Sequence, residues 1–196
     1  MSKVLVVGAT GLVGSNMIKA LNKRGKKVKA LVRPATINDP AKMDLLHTSG
    51  AIICEGELEN YDSLIKACDG VDGVISAIGT TAIGQQTALI KAAKETGVQR
   101  FMPSDYGLDP RVCGLGSCLL SDQKALIHKA VKESGLNYTF LHSGGFYEYW
   151  AHSLGQLGKP SPPDQVQLYG GGNVKAGLIA VADVAKIASA AIDDSR

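Results

Sequence analysis

The chain has 196 residues, 45% hydrophobic and 20% charged, with a net charge of +3. That mixture suits one globular domain with a sizeable core, and the small, scattered positive charge gives no argument for nucleic-acid binding. No apolar run reaches the length of a membrane span, and a strand starting at residue 3 leaves no room for a signal peptide.

Val4 to Val7 is a short apolar strand running straight into Gly8-Ala9-Thr10-Gly11-Leu12-Val13-Gly14, and an amphipathic helix is expected over Ser15 to Arg24. Strand, glycine turn and helix stand in the order a dinucleotide site needs. Glycines let backbone N–H groups approach a pyrophosphate, and the helix N-terminus adds a partial positive charge. The spacing is Gly-x-x-Gly-x-x-Gly, not the Gly-x-Gly-x-x-Gly of many dehydrogenases, and an ordinary strand-to-helix turn is the competing explanation.

Lys27 to Arg33 reads as a second strand. Many NAD sites place a carboxylate near its end for the ribose 2′-hydroxyl; here Arg33 stands there, and no acidic residue follows until Asp39. A guanidinium suits a 2′-phosphate instead, with Lys42 as a second cation in the following helix; a solvated surface charge is the competing reading of each.

Further strands are expected at Ala51–Cys54, Gly73–Gly79, Val98–Met102 and Tyr138–His142. Helices are expected at Tyr61–Cys68, Ile83–Thr96, Ser121–Ser134 and Ala182–Ile192. Residues 155–163 read as a loop, with short strands at 165–169 and 175–180. The alternation implies an α/β fold, a doubly wound parallel sheet of the Rossmann type with helices on both faces. Ligands in such sheets lie beyond the carboxyl ends of the strands. That edge gathers Gly8–Gly14, Arg33, Ala77-Ile78-Gly79, Pro103-Ser104-Asp105 and His142–Phe146.

Cys54, Cys68, Cys113 and Cys118 have no metal-ligand spacing, and no metal site is expected. A disulfide between Cys113 and Cys118 is a minor alternative to four reduced thiols in the cytoplasm. No tyrosine is followed four residues later by lysine, so the usual tyrosine–lysine proton-transfer pair is absent. Lys124 is the substitute. If Ser121 caps its helix, the lysine sits in the first turn, where the helix dipole favours the neutral amine; a start near Ser117 weakens that, and a surface lysine covering Leu120 or Ile127 is the bland alternative.

Gly8-Ala9-Thr10-Gly11, Leu31-Val32-Arg33-Pro34, Val74-Ile75-Ser76 and Ala92-Ala93-Lys94-Glu95 recur in one known group, as do Arg100-Phe101-Met102-Pro103-Ser104-Asp105-Tyr106-Gly107 and Lys175 after Gly172-Asn173-Val174. In these stretches, over nearly the whole chain, the sequence resembles the isoflavone reductase-like branch of atypical short-chain dehydrogenases, related to NmrA-like proteins. The resemblance implies NADPH-dependent reduction of a phenylpropanoid or isoflavonoid type of substrate. It assigns Gly8, Thr10, Gly11, Leu12, Val13 and Gly14 to the phosphates and Arg33 and Lys42 to the 2′-phosphate. It makes Lys124 the catalytic lysine and sets Phe146 beside the nicotinamide.

Two departures stand out. The loop Arg111–Leu120 is unlike the usual members, and the chain ends at Arg196, where members continue into segments shaping the substrate pocket. The expectation is therefore a single NAD(P)-binding domain over 1–196 lacking that segment. A reductase with a small-molecule substrate is the leading reading, and an NADP(H)-sensing, non-catalytic regulator the second. Neither nucleic acid nor membrane is expected as a partner, and a homodimer stays open.

Overall fold

The unbroken apolar run Val4 to Val7 along the first strand already dictates two covered faces. In the computed structural model, which describes residues 1–116, 118–153, 165, 170–173 and 175–194, β1 (Lys3–Val7) buries Leu5 and Val7 in one apolar cluster and Val4 and Val6 in another. A strand whose side chains are buried on both sides must be central.

The glycine turn leads into α1 (Leu12–Lys23), then β2 (Lys27–Val32), the single turn α2 (Pro34–Ile37), α3 (Pro40–Thr48) and β3 (Ile52–Glu55). Next come α4 (Tyr61–Cys68), β4 (Gly73–Ser76), a 3₁₀ stretch over Thr80–Gln85, α5 (Gln86–Glu95) and β5 (Arg100–Met102). The short α6 (Pro110–Cys113) precedes the long α7 (Leu119–Ser134) and β6 (Asn137–Tyr138). After β7 (Gly145–Phe146) and α8 (Tyr147–Ser153), β8 (Leu178–Ile179) and α9 (Val181–Ala191) end the described fold.

Six parallel strands form one sheet in the order β3-β2-β1-β4-β5-β6. Val6 pairs with Ala30 on one side and Ile75 on the other. Helices α4, α5 and α7 cover one face through Leu64, Leu89, Ala93, Ile127 and Val131. Helices α1, α3 and α9 cover the other through Met17, Ile18, Leu21, Leu46, Val184 and Ala188. The expected doubly wound fold is present. Its strand order reverses between β1 and β4, which opens a crevice beyond their carboxyl ends.

Several boundaries differ from the sequence expectation. Helix α1 starts at Leu12, three residues early, because Gly11 has extended backbone (φ −77°, ψ 168°) and serves as its N-cap. The fourth strand stops at Ser76, leaving Ala77–Gly79 as loop, and the fifth starts at Arg100 rather than Val98. The expected strand over Tyr138–His142 is only Asn137–Tyr138, and the one over 175–180 shrinks to Leu178–Ile179, which pairs with Gly145–Phe146. Apart from Gln165, which is in no regular element, the readings over 155–169 lie outside the described residues. Cys118 is an exposed free thiol, so the Cys113–Cys118 disulfide is not formed. Among the described residues no helix is long and apolar enough to cross a membrane.

Candidate functional site

The crevice between β1 and β4 holds a cavity of about 370 Å³, within the range of small-molecule sites. Gly8, Thr10, Gly11, Arg33, Ala77, Ile78 and Gly79 all line it. Its narrowness is backbone-made. Gly8 has φ +80°, and a Cβ there would land on the carbonyl of Ala77. A Cβ on Gly14 would land on the carbonyl of Gly8. Both glycines are therefore needed for the strand, turn and helix to approach so closely. Gly11 is different: its φ is ordinary and the nearest atom to a Cβ is Gly8 O at 3.3 Å. The first turn of α1 has no side-chain cap and no acidic residue, so its N–H donors stay available to an anion.

The remaining residues of the expected loop do not line the cavity. Leu12 is exposed, Val13 packs against the core, and Gly14 is buried under Gly8. Arg33 is exposed at the rim and is the one cation among the described lining residues. Lys42 is not brought there, because its ammonium lies 2.7 Å from Asp39, the carboxylate that caps its own helix. Sequence reasoning missed the far wall, where Thr36, Glu57, Leu58, Glu59 and Gln85 meet. Gln85 donates to Glu59 at 2.7 Å. The turn Glu55-Gly56-Glu57 after β3 was the available signal.

Pro103 and Ser104 stand one layer back. Ser104 is buried; its N–H donates to Gln86 Oε1 (2.7 Å) and its hydroxyl to Ile78 O (2.8 Å), so it braces the cavity wall from behind. Phe146 also lies off the cavity, half-buried with its ring 6.1 Å from that of Tyr149.

Lys124 corrects the expectation most. Cys118, not Ser121, is the N-cap of α7, which puts Lys124 sixth in the helix, in its second turn, where the dipole argument fails. It is also buried, not a surface lysine. Its ammonium donates to Asp105 O (3.2 Å) and Tyr106 O (3.0 Å) and sits 3.7 Å from Asp105 Oδ1. Burial pushes its pKa below that of an ordinary lysine, against the opposing pull of Asp105. The dipole is replaced by desolvation as the cause. Tyr106, whose hydroxyl donates to Ser76 O at 3.1 Å, ties the Lys124 carbonyl cradle to the end of β4.

His128 Nε2 and His142 Nε2 lie 2.5 and 2.7 Å from Asp105 Oδ2. From the sequence, Asp105 and His142 fall on one sheet edge but His128 is not reached, because residues 105, 128 and 142 carry no motif spacing. No metal site was expected; the donor atoms of these three residues nonetheless lie within 4.8 Å of one another.

The sequence profile of the NmrA-like family matches residues 1–196. The phenylcoumaran benzylic ether reductase IRL1 of Ginkgo biloba is 36% identical over 202 residues, covering 100% of this chain and 66% of its own length. The isoflavone reductase homolog P3 of Arabidopsis thaliana is 38% identical over 204 residues, with the same coverage. The solved structure of AtPrR2 with NADP+ and (+)pinoresinol superposes with a TM-score of 0.87 at 36% identity, over 99% of this chain and 66% of that one. The chain thus spans about two thirds of the length of these relatives. Match over the full length, strand order and glycine cradle agree: the chain belongs to the NmrA-like family.

Proposed function

We propose that residues 1–196 form one NAD(P)-binding domain that holds NADP(H) in the β1–β4 crevice and serves NADPH-dependent reduction of an aromatic, phenylpropanoid-like small molecule. The observation that carries this reading is the backbone cradle of Gly8, Gly11 and Gly14. A Cβ at Gly8 or Gly14 would strike neighbouring backbone, whereas Gly11 leaves open the space a pyrophosphate needs. Gly8, Thr10 and Gly11, with the first-turn N–H groups of Leu12, Val13 and Gly14, would hold the phosphates. Arg33 would grip the 2′-phosphate, with charge-assisted bonds worth about 1.5–3 kcal/mol each. Ala77, Ile78 and Gly79 would line the middle of the cofactor, while Pro103 and Ser104 brace them.

A bound NADPH supplies a hydride. The chain's own share is a proton at Lys124 Nζ, whose lowered pKa brings it nearer the range where a general acid–base works. Lys42, 2.7 Å from Asp39, and Phe146 do not line the cavity and would meet the cofactor only outside it. The names of the relatives, a benzylic ether reductase and a structure with NADP+ and pinoresinol, support an aromatic substrate. Three unpaired thiols, at Cys54, Cys68 and Cys118, suit a reducing compartment such as the cytoplasm.

Fluorescence titration with NADPH and NADH, followed by NADPH oxidation against aromatic enones and quinone-methide precursors, tests the reading. Tighter binding of NADPH and turnover of at least one aromatic acceptor are expected. Tight NADPH binding without turnover on any acceptor would move the reading to an NADP(H)-sensing regulator.

A further inference from the structure

Behind the cavity wall, one buried carboxylate meets three basic side chains. Asp105 is 2% exposed, and Lys124, His128 and His142 are 6%, 8% and 21% exposed. A buried carboxylate is costly unless its charge is compensated. Here the compensation is shared: Oδ2 faces both imidazoles, and Oδ1, which has no hydrogen-bond partner among the described residues, faces the Lys124 ammonium. Groups this close do not titrate independently.

We propose that Asp105 is a positioning residue for Lys124, its carboxylate aimed by His128 and His142 so that it holds the ammonium in place and sets when Lys124 releases its proton. The assignment rests on the reductase reading for its use in turnover, but its geometry is independent of that reading. The two histidines have unlike parts. His128 is sealed in, stacked on Phe140 with ring centroids 3.8 Å apart, and fixes Oδ2 from inside. His142 reaches towards the surface, where its Nδ1 lies 3.6 Å from Asp109. Arg111 grips Asp109 at 2.6 Å and holds its carboxyl well below the ordinary range. A proton taken up by His142 therefore reaches Lys124 as a change in the charge around Asp105.

The other groups facing this cluster are Tyr106, whose hydroxyl is pushed up by burial and then by Asp105, and the thiols of Cys113 and Cys118, which act on Lys124 in the same sense as Asp105. A metal ion is the competing occupant. Two zinc ligands at about 2.0–2.1 Å from the ion stand roughly 3.3 Å apart. The separations of 2.5 and 2.7 Å are shorter: His128 is hydrogen-bonded to Oδ2, and His142 Nε2 approaches it as an ion-pair contact without hydrogen-bond geometry. The Lys124 ammonium also opposes a second cation beside the same carboxylate.

The test is an NMR titration of the Lys124 ε-carbon in ¹³C-labelled protein, assigned by its loss in Lys124→Met. In Asp105→Asn the Lys124 transition should move a further ~1–3 pH units down, the usual effect of removing an adjacent opposite charge. Asp105→Glu should recover much of it. An unmoved transition in a folded Asp105→Asn protein overturns the proposal. Should that variant not fold, the wild-type curve decides. A second, smaller inflection of the Lys124 signal where His142 titrates is expected, and its absence overturns the coupling. One equivalent of Zn²⁺ should leave both histidine signals in place; perturbation of both would make the cluster a metal site and overturn the proposal. NADPH affinity measured on the same samples keeps the readings apart. Failure of wild-type protein to bind NADPH sinks the reductase reading while the Lys124 titration still judges Asp105.

Discussion

After β1 the chain shapes its cavity almost without side chains, while behind β5 it gathers four titratable ones, three of them buried. In the first region Gly8 and Gly14 bring backbone onto backbone, and the chemistry on offer is N–H donors plus Arg33 at the rim. In the second, Asp105, Lys124, His128 and His142 meet within hydrogen-bond or ion-pair distance, and none lines the cavity. The two are joined by Ser104, which braces the loop at Ile78. The division fits a site in which one region binds and the other moves a proton. It also means that damage to each should read out differently.

The largest expected effect falls on the second region. Lys124→Met keeps the buried stem and removes the amine, so NADPH affinity should stay close to that of wild type while turnover falls roughly 10²–10⁴-fold. Parallel binding and steady-state assays check this. Equal loss of both would merge the regions into one. Lys124→Arg is a poorer probe, because the buried ammonium sits between two backbone carbonyls at 3.2 and 3.0 Å, a cradle that a planar guanidinium does not fit.

Next comes the cradle itself. Gly14→Ala forces a Cβ onto the Gly8 carbonyl and should cost about 1–3 kcal/mol of stability, as overpacking does. Urea denaturation measures it, and an unchanged midpoint would show that strand and helix are not held that tightly. Arg33→Glu should leave stability alone and remove the preference for NADPH over NADH, losing about tenfold or more in NADPH affinity with each charge-assisted bond lost. Cofactor titrations by fluorescence give the answer; a retained preference would shift the 2′-phosphate role to another residue.

The smallest effect is a slope in pH. Burial sets the Lys124 pKa below 10.5, so between that lowered value and 10.5 the unfolded chain holds a proton that the folded chain has released. Stability contributed by this group must therefore rise with pH across that window. The difference in unfolding free energy between wild type and Lys124→Met, followed from neutral to alkaline pH, should carry this rise. A difference that stays flat would mean that Lys124 is not desolvated.

The two regions were also unequally legible in the sequence. The cradle could be read because its parts are covalently adjacent: an apolar run, three glycines at fixed spacing and a helix. What that pattern could not give was the helix start, since Gly11 caps α1 with no polar side chain to announce it. The doubly wound sheet followed from alternation alone, while the two-residue β6 is too short to have a period of its own. Lys42 stands off the cavity, its ammonium 2.7 Å from a helix-capping aspartate three residues earlier, a pairing the sequence reading did not weigh. Lys124 was singled out, but for a dipole that its position does not feel. The sheet edge gathered Asp105 with His142 but gave no contact between them, and His128 was beyond reach: a helix face and the loop after β6 bring the two histidines to Asp105, and no spacing along the chain encodes that meeting.

Calorimetric titration of NADPH into wild type and Gly11→Val, side by side, tests most directly whether the cradle holds the cofactor. Gly11 has an ordinary φ, and a Cβ there would meet a single atom, Gly8 O at 3.3 Å, which a small shift relieves, so the variant should stay folded by circular dichroism. The account predicts one-to-one binding by wild type and none measurable by the variant. Equal affinity in both would contradict it.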